Sequence, residues 1–572
     1  MSAHRSGQPR AAAEIIRKAI SLEPQFALAH NDLGNMLMEQ GRISDAVACY
    51  RRTIEIAPDF PEAHNNLGNA CQMSHSLPEA FDCYRKAIEL RPGYAEAHRN
   101  LGSALLRVGR VAEAGAAFET ALTLDPALTE VIPLLVREMQ QACAWDGLDR
   151  WSQRVIHLVE TGSGTVNPFL FLCLDTTPAQ QLRCARQWAA QHLPGGPPRW
   201  AAHPEGGRMT VGYLSADFQE HATAHLISEV FERHDRLRFR VFGYSYGRDD
   251  GSAARRRIVQ SLDRFVDLES ASFFDAAQQI RADGVDILVD LKGYTAGARP
   301  QILALRPAPV QVSYLGYPGT LGTDFVDYLL ADPFVVPADQ QPHYAERIVH
   351  LPDCYQANDS TRAIAARIPT RAECGLPETA TVFCCFSAAY KITARMFDVW
   401  MRILTAAQGS VLWLLQSNPT ATANLRREAE ARGVCADRLV FAPELPNPEH
   451  LARFAVANLF LDTLPYNGHT LASDALWGGC PVLTCAGETF ASRVAGSLLR
   501  AIGLPELVAT SLAEYEALAR RLAAAPNRLR ALREKLRRNR GTFPLFDCAR
   551  FTRNLEAAYA AMVATASGPV RR

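Results

Sequence analysis

In the last third of the chain, NLFLDTLPYNGHTLASDALWGGCPVLT reads as an apolar strand, a turn at Tyr466-Asn467-Gly468-His469-Thr470, and a helix from near Leu471 to Trp477. A helix start offers unpaired N–H groups and a partial positive charge. Gly468 permits close backbone approach and Thr470 adds a hydroxyl, so a diphosphate fits such a turn. A plain N-cap is the competing reading, because Thr before a helix is common. Lys391, in TVFCCFSAAYKIT, follows a second apolar strand. There a lone ammonium can face a phosphate across a cleft, the alternative being a solvated loop lysine. In VGYLSADFQEHATAHLISE, His221 and His225 follow a third strand, near Asp217 and Glu220, and offer an imidazole that takes or orients a proton. If helical, the two histidines share a face and could grip a metal, but no third ligand is in view and structural histidines are the commoner case.

Missing motifs narrow the chemistry. The sequence contains no D-x-D, H-E-x-x-H or C-x-x-C, so no carboxylate-held or thiolate-held metal is expected. Neutralising a diphosphate then falls to Lys391 and the helix start. P-loop and G-x-G-x-x-G patterns are absent, GSGTVN at 162 matching neither, which sets aside nucleotide triphosphatases and Rossmann dehydrogenases. The 14 cysteines are scattered and read as reduced core thiols. The run NRLRALREKLRRNRG from 527 reads as the solvated face of a helix, with membrane-surface attachment the weaker alternative.

These residues need elements to hold them. From 208 onward, short apolar runs alternate with helical patterns: MTVGYLSA, RFRVFGYSYG, VDILVDLKG, PVQVSYLGYPGT, TVFCCFSAAY, GSVLWLLQS, RLVFAPEL, NLFLDTLPY and CPVLTCAG. This is an α/β rhythm that implies parallel sheets covered on both faces, with ligands bound beyond the C-terminal strand ends. A break near 365–378, at RIPTRAECGLPE, is the expected boundary. Upstream, three 34-residue segments starting at 27, 61 and 95 align without gaps. His30/His64/His98, Gly34/Gly68/Gly102, Ala46/Ala80/Ala114, Tyr50/Tyr84/Phe118 and Pro58/Pro92/Pro126 recur at that step, the tetratricopeptide pattern of paired antiparallel helices. The small positions let helices approach, the aromatic fills the groove and the proline stops the second helix. The expected domains are repeats over 11–128, with a leading half-repeat, an irregular helical cap and linker over 129–205, and two α/β domains over 206–375 and 376–560.

At 572 residues the chain holds several domains, and 48% hydrophobic against 21% charged residues excludes global disorder. Sixty basic residues cancel sixty acidic ones, which argues against nucleic acid as a partner. MSAHRSGQPRAAAEII has no apolar signal core, and no run approaches a membrane span, so a soluble cytoplasmic protein is expected. Repeat arrays of this type bind extended peptides or other chains, and a bare packing role is the alternative.

The repeats together with GYLSADFQEHATAHL, LKGYTAGARPQILALRPAPVQVSYLGYPGT, FSAAYKIT, LDTLPYNGHTLASDALWGGCPVLT and GETFASRVAGSLL resemble the O-linked N-acetylglucosamine transferase family, in its order and over about 11–555. The resemblance implies an α-solenoid followed by a GT-B fold: two Rossmann-like domains with a nucleotide sugar on the second and no catalytic metal. It further implies that Lys391 contacts the donor diphosphate, that the His469-Thr470-Leu471 helix start cradles the phosphates, and that Asp474 binds the ribose. By the same resemblance His450 lies against the uracil, with Arg453 nearby and Leu445 offering backbone contacts, while His221 matches the family's histidine proposed as proton acceptor. Two positions depart from the pattern: Ala388 stands where similar transferases carry Gln, and Leu471 where they carry a second Thr. The expectation is an inverting, metal-independent transfer of N-acetylglucosamine from UDP-GlcNAc to Ser/Thr hydroxyls of proteins, without a cofactor, with protein acceptors engaging the repeats and the cleft. A GDP-fucose or UDP-glucose donor, or a catalytically weakened repeat scaffold, are the alternatives.

Overall fold

The 34-residue period folds as the spacing predicts, into paired helices at Ala27–Glu39 and Ile43–Ile56, Pro61–Met73 and Leu77–Leu90, and Ala95–Arg107 and Val111–Leu124. The computed structural model describes residues 9–195 and 207–566 and divides the chain into two units, one ending at Ala142 and one beginning at Cys143. The recurring glycines have a steric cause: a Cβ on Gly34, Gly68 or Gly102 would come within 2.5, 2.6 and 2.6 Å of a ring carbon of Tyr50, Tyr84 and Phe118. The recurring histidines do more than the period revealed. His30, His64 and His98 donate through Nε2 to the carbonyls of Pro24, Pro58 and Pro92 at 3.0, 2.9 and 3.0 Å, fastening each repeat to the turn before it. Asn66 and Asn100 donate to Asn31 and Asn65 of the preceding repeat at 3.1 and 2.9 Å. The helix Pro9–Leu22 covers most of the stretch expected as a leading half-repeat, and Val131–Gln141 is the last helix of the first unit.

The second unit opens with helices Leu148–Thr161, Pro168–Leu172 and Pro178–His192 and continues into two all-parallel sheets. The first holds β1 (Met209–Ser215), β2 (Phe239–Ser245), β3 (Arg264–Asp267), β4 (Ile287–Asp290), β5 (Val310–Ser313), β6 (Tyr328–Ala331) and β7 (Arg347–His350), in the order β3-β2-β1-β4-β5-β6-β7. The second holds β8 (Val382–Cys385), β9 (Val411–Leu415), β10 (Leu439–Ala442), β11 (Leu459–Leu461), β12 (Val482–Cys485) and β13 (Val508–Ala509), in the order β10-β9-β8-β11-β12-β13. Both orders reverse direction beside their first strand, at β1/β4 and β8/β11, where doubly wound sheets bind ligands. The nine runs read from the sequence all contain strands; β3, β6, β7 and β13 were not among them. The strand pattern is buried throughout in β4, β5, β6 and β8, as parallel sheets covered on both faces require.

The helix Cys548–Ala566 follows the second sheet in the chain but packs on the first. Its Tyr559 hydroxyl lies 3.3 Å from that of Tyr213 on β1, and Glu556 takes a hydrogen bond from His234 at 3.0 Å. Eleven of the 14 cysteines are buried free thiols; Cys49 and Cys374 are partly exposed and Cys435 is exposed, which corrects the expectation for those three. In the helix Pro526–Asn539 most basic side chains face solvent, but Arg533 donates to the carbonyls of Ala455 and Ala457 and braces the second sheet. Among the described residues no helix is long and apolar enough to cross a membrane.

Candidate functional site

Loops following strands of both sheets share one apolar cluster, in which Tyr246, Tyr294 and Tyr317 from the first sheet meet Tyr466 and Ala491 from the second. Two groups of polar residues flank it.

On the first sheet, β1 ends at Ser215 and the chain turns through Asp217 to His221, the residue before the helix Ala222–Arg233. His221 is therefore a cap outside the helix, and only His225 is helical, so the two do not present a shared helical face. Nδ1 of His221 accepts the Thr223 N–H at 3.1 Å, which puts the proton of the neutral ring on Nε2. Asp217 lies 3.5 Å from that same Nδ1 and receives the buried Lys292 ammonium at 2.7 Å. Asp290, at the end of β4, accepts the N–H groups of Lys292 and Gly293 at 3.3 and 2.7 Å, and burial pushes its carboxyl up to about 6. Burial, opposed by Asp217, holds His221 below the usual histidine value. His225 pairs with Glu220 at 2.8 Å.

On the second sheet, β8 leads into a short 3₁₀ turn, Ala389–Lys391, and β11 leads through a cis Leu464–Pro465 bond to the turn before the helix Thr470–Trp477. The Lys391 ammonium lies 3.9 Å from the centre of the Tyr466 ring and donates to the Asn467 carbonyl at 2.9 Å. Burial pushes its pKa down to about 8. Asp462, just past β11, takes the Gly468 N–H at 2.6 Å and the Thr484 hydroxyl at 2.6 Å. A Cβ on Gly468 would meet that carboxylate at 3.1 Å and the Ala472 nitrogen at 3.4 Å, so the turn packs closely between Asp462 and the first turn of the helix. His469 precedes the helix, and no side chain caps the first turn, which rules out the plain N-cap reading of Thr470. The His469 ring stacks on Tyr466 at 4.8 Å and donates to the Ala491 carbonyl at 3.1 Å; burial pushes its pKa down to about 3, so the ring is neutral. The positive features here are Lys391 and the uncapped helix start. Leu471 packs its side chain against the main apolar core, leaving its backbone to the site, and Ala388 begins the turn whose last residue is Lys391.

The remaining expected residues gather one helix away. His450 and Arg453 lie on Asn447–Arg453, with the Arg453 guanidinium 3.9 Å from the centre of the Phe386 ring and donating to the Pro443 carbonyl at 2.8 Å and to His450 Nδ1. Burial pushes His450 down to about 3, so its neutral ring carries the proton on Nε2, which is buried without a partner 3.8 Å from Asp474 Oδ2. Asp474 pairs with Arg362, a residue of the segment between the sheets that the sequence reading missed. Nothing local marks Arg362: its partner lies 112 residues on. The half-exposed Leu445 and the buried Arg453 border a cavity of about 820 Å³ lined also by Trp413, Gln416, Arg426 and Phe441.

Comparison with known proteins finds relatives for both parts of the chain. The model described as Glycosyl transferase family 41 matches residues 197–368 and 357–555. Tetratricopeptide models match 34–74, 76–109 and 95–128. A probable UDP-N-acetylglucosamine–peptide N-acetylglucosaminyltransferase SEC of Arabidopsis thaliana is 37% identical over 74% of this chain and 46% of its own length. The UDP-N-acetylglucosamine–peptide N-acetylglucosaminyltransferase of Caenorhabditis elegans is 29% identical over 61% of this chain and 40% of its own. The chain thus spans less than half the length of these curated relatives. A solved lysine-to-methionine mutant of the Thermobaculum terrenum O-GlcNAc transferase covers 95% of this chain and 98% of its own, with 29% identity and a TM-score of 0.66.

Proposed function

The chain belongs to glycosyl transferase family 41, and on that premise we propose that it moves N-acetylglucosamine from UDP-GlcNAc to Ser/Thr hydroxyls of proteins, with inversion and without a metal or cofactor. One observation carries the reading: the Lys391 ammonium sits on the turn, 2.9 Å from the Asn467 carbonyl, that leads into the uncapped start of Thr470–Trp477. Two sources of positive charge converge where a diphosphate leaving group would collect negative charge. As the acceptor oxygen attacks the anomeric carbon and the bond to the diphosphate oxygen breaks, that charge grows, so both features stabilise the transition state more than the ground state. Lys391 and the helix start take the charge-neutralising role that a cation has in other nucleotide-sugar sites.

At the nucleoside end, Asp474 accepts from the ribose hydroxyls, and His450 and Arg453, backed by Phe386, frame the base beside the Leu445 backbone. His221 presents Nε2–H toward substrate, which suits it to hold the acceptor oxygen in line; serving as the base requires its proton to move to Nδ1, where the Thr223 N–H now points. The repeats bind the acceptor protein, and a cytoplasmic location fits protein acceptors of this kind. The test is turnover of UDP-GlcNAc on a Ser/Thr peptide in the presence of a chelator. Lys391→Ala is expected to lose at least about a thousandfold in kcat, at the upper end for one lost electrostatic contact. Near-normal activity in that variant removes the mechanism.

A further inference from the structure

The helix Pro168–Leu172, read from sequence as part of a cap, reaches the tyrosine on which the lysine sits. Asn167 fixes its start by accepting the Phe169 and Leu170 N–H groups at 2.9 and 3.3 Å. Leu172 and Cys173 lie in the same buried cluster as Tyr317 and Tyr466. Phe169 stands edge-on to two tyrosines at once, with centroid distances of 6.1 Å to Tyr390 and 6.0 Å to Tyr466. These two tyrosines meet each other edge-on at 6.4 Å. The other neighbour of Tyr466 is His469, stacked at 4.8 Å and itself held by the Ala491 carbonyl. Tyr466 thus has three ring neighbours, His469 stacked and Phe169 and Tyr390 edge-on, and its face carries the Lys391 ammonium at 3.9 Å.

An ammonium has three donors, and this seat supplies one carbonyl and one ring face. Such a seat restrains the charge only as well as the ring is restrained. We infer that Phe169 is a positioning residue of the diphosphate site: by wedging Tyr390 and Tyr466 it fixes the surface on which Lys391 sits and keeps water from it. This rests on the proposed role of Lys391. It also makes the helices before the first sheet part of the donor site.

The groups around Lys391 leave a clean readout. Cys173 from the helix side and Cys385 from β8 have thiols pushed up to about 12 by burial, Asp462 is pushed up to about 6, and His469 is held down to about 3. Between pH 7 and 10 Lys391 is the group of this set that changes charge. Opening the wedge hydrates the ammonium and moves its pKa from about 8 back toward the ordinary 10.5.

The experiment labels the full-length protein with trace acetic anhydride across pH 6.5–10.5 and follows Lys391 by peptide mass spectrometry, in parallel with calorimetric UDP titrations at pH 7. Wild type, Phe169→Ala, Phe169→Leu and Phe169→Tyr are compared. Phe169→Ala and Phe169→Leu are expected to raise the labelling midpoint by about one pH unit or more and to weaken UDP about tenfold, while Phe169→Tyr, which keeps the ring, holds both. Should Phe169→Ala fail to fold, Phe169→Leu decides. An unmoved midpoint in the folded Leu variant overturns the inference, even if activity falls, because packing alone would then account for the loss. A midpoint that moves in a protein that binds no UDP upholds the wedge and removes the donor reading instead.

Discussion

Replacing Arg362 by Met removes the cation facing Asp474 while keeping most of the apolar stem. The two side chains are 3% and 5% exposed, so water cannot take the place of the lost partner. His450 Nε2 at 3.8 Å is too distant for a hydrogen bond, and that ring is neutral. Stripping one partner from such a buried pair costs about 3–5 kcal/mol, most of it the penalty of an uncompensated carboxylate. Removing both charges, as in Arg362→Met with Asp474→Leu, is close to neutral once an apolar pair fills the space. The assay is urea unfolding of the full chain followed by tryptophan fluorescence, to which Trp477 reports directly because its indole donates to the Arg362 carbonyl at 3.2 Å. The single variant should lose about 3–5 kcal/mol and the double variant recover at least half of that. A loss under about 1 kcal/mol, or a double variant no better than the single, refutes the claim that this pair braces the nucleoside end of the site.

Other perturbations follow from the same geometry. UDP affinity, measured by calorimetry, should fall about tenfold per pH unit above about 8, because the protonated Lys391 is the binding form and its pKa is lowered to that value; Lys391→Arg, charged throughout, should show a flat profile. His221→Ala should lower kcat about a hundredfold and erase an acid limb that lies below the ordinary histidine value, since burial holds the ring neutral to lower pH; an unchanged profile and rate would remove His221 from the chemistry. Gly68→Ala drives a Cβ to 2.6 Å from the Tyr84 ring, and the repeat unit should lose about 1–3 kcal/mol by circular dichroism despite the better helix propensity of alanine.

The repeats were legible because each constraint recurs: a ring against Gly34 is repeated at Gly68 and Gly102, so the period writes the packing three times. The central strands were legible because burial on both faces leaves continuous apolar runs such as VFCC and ILVD. The missed strands lack that mark. β3 and β7 flank their sheet with exposed end residues, Arg264, Asp267, Arg347 and His350, and β13 is two residues long. β6, although buried, follows a long turn-rich stretch with no helix before it. Of the site, Lys391 and the Gly468 turn could be read because a strand, a turn and a helix lie together in the chain. Arg362, the Asp217–Lys292 pair and Phe169 could not, because each acts on a residue dozens to hundreds of positions away, and only the fold brings them into contact. The Nδ1 lone pair of His221 is likewise spent on a backbone N–H that the sequence does not display.

Donor choice and metal independence are both read by mass spectrometry of a Ser/Thr peptide incubated with the purified chain and a chelator, with UDP-GlcNAc and GDP-fucose supplied in separate reactions. One added N-acetylhexosamine from the UDP donor is expected, and Lys391→Ala should lose it. Fucose transfer, transfer that stops on chelation, or no transfer by a chain that binds no UDP would contradict the proposed function.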